Sequence, residues 1–275
     1  MGRGGAIKHF LTFISGVIMG STTTIPGISF GTMTMLFNVY EKLLDSLSWG
    51  HIRKNLGFSA PLLSGAVVGI FSLSSLVTYL ISEHKMITYF CFIGLIVGCV
   101  PMIYRKAEIE KIKPAYVTAF AIALAFTIYL AIRHYSLMDN LTLEELGGAS
   151  LSLGVWIFVA GFICAVAMLI PGISGSIIML MLGTYTVSIE AVSKFYLPLV
   201  IPVGAGIGLG IVVGIRLIRK LLTHNRQVVY SAVLGLVIGS VFIIFPGFTP
   251  NGYGAIAIIL GVAFVFVSYF FSRND

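Results

Sequence analysis

Charge is scarce in this chain. Asp, Glu, Lys and Arg make up 10% of its 275 residues, against about 25% in an ordinary soluble domain. Hydrophobic residues fill 58%, which excludes a soluble enzyme or binding module and points to a polytopic membrane protein. Cysteine is nearly absent. Cys91, Cys99 and Cys164 share no metal or redox spacing, so neither a disulfide framework nor a metal centre is expected, and the three read as small apolar residues in helices. The five histidines, His9, His51, His84, His134 and His224, fall in loops or at the ends of apolar runs. The formal net charge of +7 is not interleaved with aromatics as in a nucleic-acid surface. It reads as loop charge beside anionic lipid. No cofactor and no nucleic-acid partner are expected. Nor is a cleaved signal peptide, since the first apolar run leads into a motif that recurs in mid-chain.

That motif is Ile25-Pro26-Gly27-Ile28-Ser29, repeated as Ile170-Pro171-Gly172-Ile173-Ser174 at an offset of 145 residues. Gly16 with Gly161 and Tyr40 with Tyr185 keep the same offset. Further along the offset becomes 141, pairing Pro61, Gly65 and Gly69 with Pro202, Gly206 and Gly210, and Gly94 and Gly98 with Gly235 and Gly239. The chain therefore reads as one unit used twice. Repeat 1 covers 1–134, with a broken run at 9–44 and apolar spans at about 59–81, 87–104 and 114–133. A polar loop at 135–153 connects it to repeat 2, 154–275, with a broken run at 154–192 and spans at about 198–218, 228–245 and 254–271. The later glycines read as sites of close helix packing.

Each broken run is too long for one crossing. Residues 9–44 as helix would extend ~54 Å, against a hydrocarbon core of ~30 Å. Charge chooses between a re-entrant hairpin and a tilted, broken crossing. With hairpins, fourteen of the seventeen Lys and Arg fall on the face of the N-terminus, and only Lys85, Arg133 and Lys194 on the other. With single crossings the division is 9 against 8. The positive-inside rule favours hairpins, with both termini cytoplasmic. Each repeat then has a re-entrant hairpin and three transmembrane helices, so the second is inverted relative to the first. The expected fold is an all-α polytopic membrane protein of two inverted repeats, with broken helices meeting at mid-membrane as in alternating-access transporters.

Proline removes a donor and glycine frees the turn, so each break leaves backbone groups that need partners. A helix restarting after such a break presents free N–H groups to an anion, and phosphate is a frequent occupant. The candidate phosphate-binding residues are Gly27, Ile28, Ser29, Gly31 and Thr32 in the first tip and Gly172, Ile173, Ser174, Gly175 and Ser176 in the second, with Pro26 and Pro171 making the breaks. The plainer alternative is that serine only caps a helix and glycine only permits a turn. Glu41 and Glu190 are candidates for proton coupling and, equally, interfacial charges beside an aromatic anchor. Gly172-Ile173-Ser174-Gly175 also fits the Gly-x-Ser-Gly of rhomboid proteases, but no apolar span carries a histidine base for that chemistry.

At these motifs the chain resembles the polyprenyl-phosphate transporter family (PopT). The family pattern of Pro-Gly-x-Ser-Gly-Gly-Thr followed by Gly-x-Tyr-Glu appears here as Pro26-Gly27-Ile28-Ser29-Phe30-Gly31-Thr32 and then Val39-Tyr40-Glu41. In the second half Pro171-Gly172-Ile173-Ser174-Gly175-Ser176 is followed by Gly183-Thr184-Tyr185. Phe30 and Asn38 stand where the family has glycine. The resemblance covers nearly the whole chain. It implies a bacterial cytoplasmic-membrane protein that is no enzyme but flips undecaprenyl phosphate from the outer to the inner leaflet for reuse in cell-wall peptidoglycan synthesis. Its partners would be polyprenyl phosphate and membrane lipid, with a homodimer as a candidate assembly. The residues alone leave open a carrier of a small soluble anion or an intramembrane hydrolase. The charge division makes a topological prediction: in intact cells a cysteine at Ser82 is labelled by an impermeant reagent and one at Ala107 is not. Labelling of Ala107 from outside refutes the hairpin topology.

Overall fold

A computed structural model describes residues 3–22, 29–47, 52–134, 148, 150–247 and 252–273. Pro26, Gly27 and Ile28 of the first tip, and residues 135–147 of the connecting loop, lie outside the described residues. The regular structure among the described residues is entirely helical. In order, the helices are α1 Arg3–Thr22, α2 Phe30–Leu36, α3 Tyr40–Ser46, α4 Ile52–Glu83, α5 Lys85–Lys106, α6 Pro114–His134, α7 Leu151–Met168, α8 Gly175–Met181, α9 Tyr185–Ser193, α10 Leu197–His224, α11 Arg226–Ile244 and α12 Gly252–Arg273. One long helix, two short ones and three long ones follow each other twice. Among the described residues seven helices are long and apolar enough to cross a membrane: α4 over Leu56–Leu73, α5, α6, α7, α10, α11 and α12. The apolar part of α1, His9–Ser21, is shorter. The protein is thus an all-α polytopic membrane protein, as its composition dictates, because helices satisfy their backbone groups internally where water is absent.

Glycine sets how these helices pair. A Cβ on Gly16 would lie 2.1 Å from the Leu62 carbonyl oxygen, and one on Gly65 2.2 Å from that of Phe13. Gly20 meets Ala66 and Gly69 meets Val17 one turn further along, again backbone to backbone. The contacts advance in step, so α1 and α4 run parallel. The same holds for α7 and α10, where Gly206 abuts Phe158 and Gly210 abuts Phe162. Gly94 and Gly98 bring α5 against Gly261 and Val265 of α12, and Gly235 and Gly239 bring α11 against Phe120 and Thr127 of α6, both pairs parallel. Small residues at such seams let dispersion do the work that the hydrophobic effect cannot do in lipid.

Direction follows from these pairs. α4 therefore starts at the end where α1 starts, and α10 where α7 starts. Between the halves, α5 and α11 are antiparallel. Arg226 Nε, at the start of α11, donates to the Lys106 carbonyl at the end of α5, at 2.9 Å. At the other end Phe245 meets Phe90 edge-on, with ring centroids 6.0 Å apart.

Within the broken runs at 9–44 and 154–192, the leg after each Pro-Gly break is not one continuous helix. Each leg is two short helices, and α8 and α9 are bent by 113°. The cause is a residue with positive φ, Asn38 at +53° and Gly183 at +69°. Both breaks use the same hydrogen bonds. The residue after the left-handed one donates five residues back, Val39 to Thr34 and Thr184 to Met179, at 2.9 Å each. Asn38 and Gly183 themselves donate to Met35 and Leu180. This is the Schellman helix end, which glycine favours and asparagine tolerates. The departure from the family pattern at Asn38 therefore keeps the conformation that glycine has at 183.

The glycine seams predict that Gly65→Val and Gly206→Val each lower the stability of the purified protein, by at least the ~1–3 kcal/mol usual for overpacking. Gly208, where an added Cβ meets nothing within 4 Å, is the control, and Gly208→Val leaves the thermal unfolding midpoint in detergent nearly unchanged.

Candidate substrate site at the two helix breaks

The second break begins where α7 runs out, with Leu169 as its C-cap. Gly172 has φ +92°, and a Cβ there would lie 2.6 Å from the Leu236 carbonyl carbon. Conformation and space both require glycine at this position. Leu236 lies near the middle of α11, so this tip sits about halfway along a membrane-length helix. Ile173 is buried there with Ala123 and Leu236. The chain then doubles back. A Cβ on Gly175 would approach Met168 Cγ to 2.4 Å and Cys164 Sγ to 2.7 Å, and at the far end of α8 Trp156 Nε1 donates to the Leu182 carbonyl at 3.0 Å. Ser174 is the N-cap of α8, but its hydroxyl makes no capping bond. It lies 2.8 Å from Ser176 Oγ instead, so the side chain leaves the first amides of α8 uncapped. The hydroxyl's partner is thus a serine, not a histidine base.

The first break restarts at Ser29, which caps α2. Its Oγ accepts from Thr32 N at 3.1 Å and lies 3.0 Å from Thr32 Oγ1. A Cβ on Gly31 would sit 3.0 Å from the Met168 carbonyl oxygen and 3.3 Å from Pro171, so α2 lies directly on the second break. Two hydrogen bonds join them. Gly172 N donates to Thr32 Oγ1 at 3.0 Å, and Tyr40 Oη donates to the Leu169 carbonyl at 2.9 Å. Ser29 and the start of α2 thus form one cluster with the second break. Ser29, Thr32 and Ser174 are 4%, 2% and 6% exposed, with Pro171, Gly175 and Gly31 buried beside them and Ser176 half-buried. Three hydroxyls and turn amides gathered in a buried place can surround an anion with donors.

The two carboxylates have different surroundings. Glu41, at the start of α3, accepts from both Arg226 guanidinium nitrogens, Nη2 at 2.9 Å and Nη1 at 3.3 Å, and from the Tyr230 hydroxyl. Arg226 also reaches Glu108 at 3.4 Å. One turn further, Asp45 pairs with Arg219 at 3.0 Å. Glu190 pairs with Lys194, four residues on, at 2.7 Å. A fork of donors on Glu41 holds a fixed negative charge and ties α3 to α11. Arg226 and Tyr230 escaped the sequence reading. Their spacing of four, one helical turn, beside a carboxylate that follows a tyrosine was the available signal.

The contact between the breaks predicts a specific loss. Thr32→Val removes the acceptor of the buried Gly172 amide, and an unsatisfied buried donor costs ~1–3 kcal/mol. Thr32→Ser keeps the acceptor. Thermal unfolding of the two purified variants is the measurement, and equal midpoints would show that the bond contributes nothing.

Residues 19–252 match the model of the VCA0040-like family, described as undecaprenyl phosphate translocase-like. The polyprenyl-phosphate transporter of Staphylococcus aureus is 32% identical over 255 residues, 88% of each chain. That of Vibrio cholerae is 27% identical over 261 residues, 88% of this chain and 80% of the relative. No solved structure matches. The match spans both breaks and most of both halves, and the chain belongs to the undecaprenyl phosphate translocase-like family.

Proposed function

We propose that this protein carries polyprenyl phosphate, undecaprenyl phosphate above all, across the bacterial cytoplasmic membrane from the outer to the inner leaflet, where the lipid re-enters cell-wall synthesis. The observation that carries this reading is the meeting of the second Ile-Pro-Gly-Ile-Ser break with the start of α2, with the Gly172 amide on Thr32 Oγ1 at 3.0 Å. The names of the relatives in Staphylococcus and Vibrio support the substrate.

The physical problem is the headgroup. A phosphate monoester carries about −1.5 to −2 charges near neutral pH, and an unpaired charge in hydrocarbon is prohibitive. The protein's task is to replace water at the headgroup while the isoprenoid tail stays in lipid. At the breaks the donors are the Ser29, Thr32, Ser174 and Ser176 hydroxyls and the turn amides. Thr32 occupies the Gly172 amide, and a phosphate would take over that donor. Gly27 and Ile28 belong to the same site in this reading, from the first tip. No bond of the substrate is made or broken, so the protein acts as a transporter and not as an enzyme.

Parallel pairing of α1 with α4 and of α7 with α10 supports hairpins that re-enter from opposite faces. So does the antiparallel course of α5 and α11, which occupy matching places in the two halves. Arg105, Lys106, Arg219, Lys220 and Arg226 gather at one end of the bundle, which supports placing that end, and the termini, in the cytoplasm. Opening the breaks alternately to the two sides would pass the headgroup across.

The test is binding of a short polyprenyl phosphate to purified protein, with the matching alcohol as control. A charge-assisted hydrogen bond contributes ~1.5–3 kcal/mol, so Ser29→Ala and Ser174→Ala each weaken phosphate binding by about tenfold or more. The double variant is weaker than either, and the alcohol ignores both changes. Equal binding of alcohol and phosphate, unaffected by the serines, refutes the anion site.

A further inference from the structure

We propose a second, peripheral lipid site at the basic end of the molecule, where the same lipid class docks before or after passing the breaks. It rests on the transporter reading and deepens it. An apolar cleft of about 300 Å³ lies between α6 and α11 and is lined by Tyr104, Val117, Phe120, Leu234 and Ile238, among others. It adjoins a polar pocket of about 470 Å³ lined by Glu108, Glu110, Lys111, Lys113 and Gln227. Ile109 and Tyr116 line both, so the two spaces form one cleft with an apolar part and a charged part.

The charged part suits an anion. Glu108 is drawn toward Arg226, at 3.4 Å, which leaves Lys111 and Lys113 to outweigh Glu110. The Lys113 ammonium lies over the Tyr116 ring, 5.9 Å from its centroid, at the junction of the two parts. The apolar part is open to the side, with Tyr104, Ile112 and Val117 exposed. Tyrosines at 104 and 116 mark the headgroup level of a membrane interface.

Chain number and charge select the occupant. The cleft runs between two helices whose backbones are drawn together at Gly235 and Gly239, which suits one hydrocarbon chain better than the two of a phospholipid. Two ammonium groups match the nearly dianionic phosphate monoester better than a singly charged phosphodiester. The occupant is therefore a single-chain polyprenyl monophosphate in the leaflet at this end. Its place in the fold is informative. Leu234 and Ile238 share one face of α11, and Leu236, which packs on Gly172, lies on the opposite face. One helix thus separates the peripheral cleft from the second break.

The experiment uses the full-length protein in nanodiscs and farnesyl phosphate carrying a diazirine at the tail end. Cross-links are mapped with and without excess unlabelled farnesyl phosphate or phosphatidylglycerol. The expected result is labelling of Val117, Leu234 or Ile238 that farnesyl phosphate suppresses and phosphatidylglycerol does not. Lys111→Ala combined with Lys113→Ala reduces this labelling by about tenfold, while labelling near the breaks survives. Suppression by phosphatidylglycerol shows an ordinary boundary-lipid groove and overturns the proposal. So does labelling confined to the breaks, which leaves the transporter reading standing. Failure of the wild type to bind farnesyl phosphate saturably anywhere overturns both.

Discussion

Backbone groups freed inside a membrane must find partners within the protein, and this constraint organises the molecule. Each Pro-Gly break releases amides and carbonyls where no water can reach them. At the second break part of the solution comes from the other half. The Gly172 amide goes to Thr32, and the Leu169 carbonyl is met by Tyr40. These bonds require the two halves to be held together. The glycine-lined seams and the α3–α11 ion pair do that holding. The place that costs most to build is also one where buried polar groups are gathered.

The sequence announced its helices well and its joints poorly. Apolar runs bounded by Lys85, Lys106, Pro114 and Asn225 were legible, because hydrocarbon permits only one backbone solution over such lengths. Glycines at 65, 69, 206 and 210 announced close packing, because their spacing of four puts them on one helix face. The kinks at Asn38 and Gly183 were not read. A single left-handed residue inside an apolar run leaves the hydropathy pattern intact, and only the recurrence of the residue before Val39-Tyr40 and Thr184-Tyr185 gives it away.

The site was half legible. Duplication marked Ser29 and Ser174 as a pair, yet nothing in one dimension said that Thr32, not either serine, would receive the opposite amide. Pairing across the fold was also invisible for Glu41. Its partners lie 185 and 189 residues away, and only packing brings them within reach.

One asymmetry in this duplicated molecule bears on how it is fastened. At the offsets of 145 and 141, Glu41 corresponds to Thr186 and Arg226 to Lys85. The ionic clasp that fastens α3 to α11 at the basic end has no counterpart built from the equivalent positions at the other end. There α7 is fastened to the end of α8 through the neutral Trp156–Leu182 bond. Two identical copies would fasten both ends alike. Here one end carries a charged fastening and the other a neutral one, so dissolved salt acts on the first and leaves the second alone.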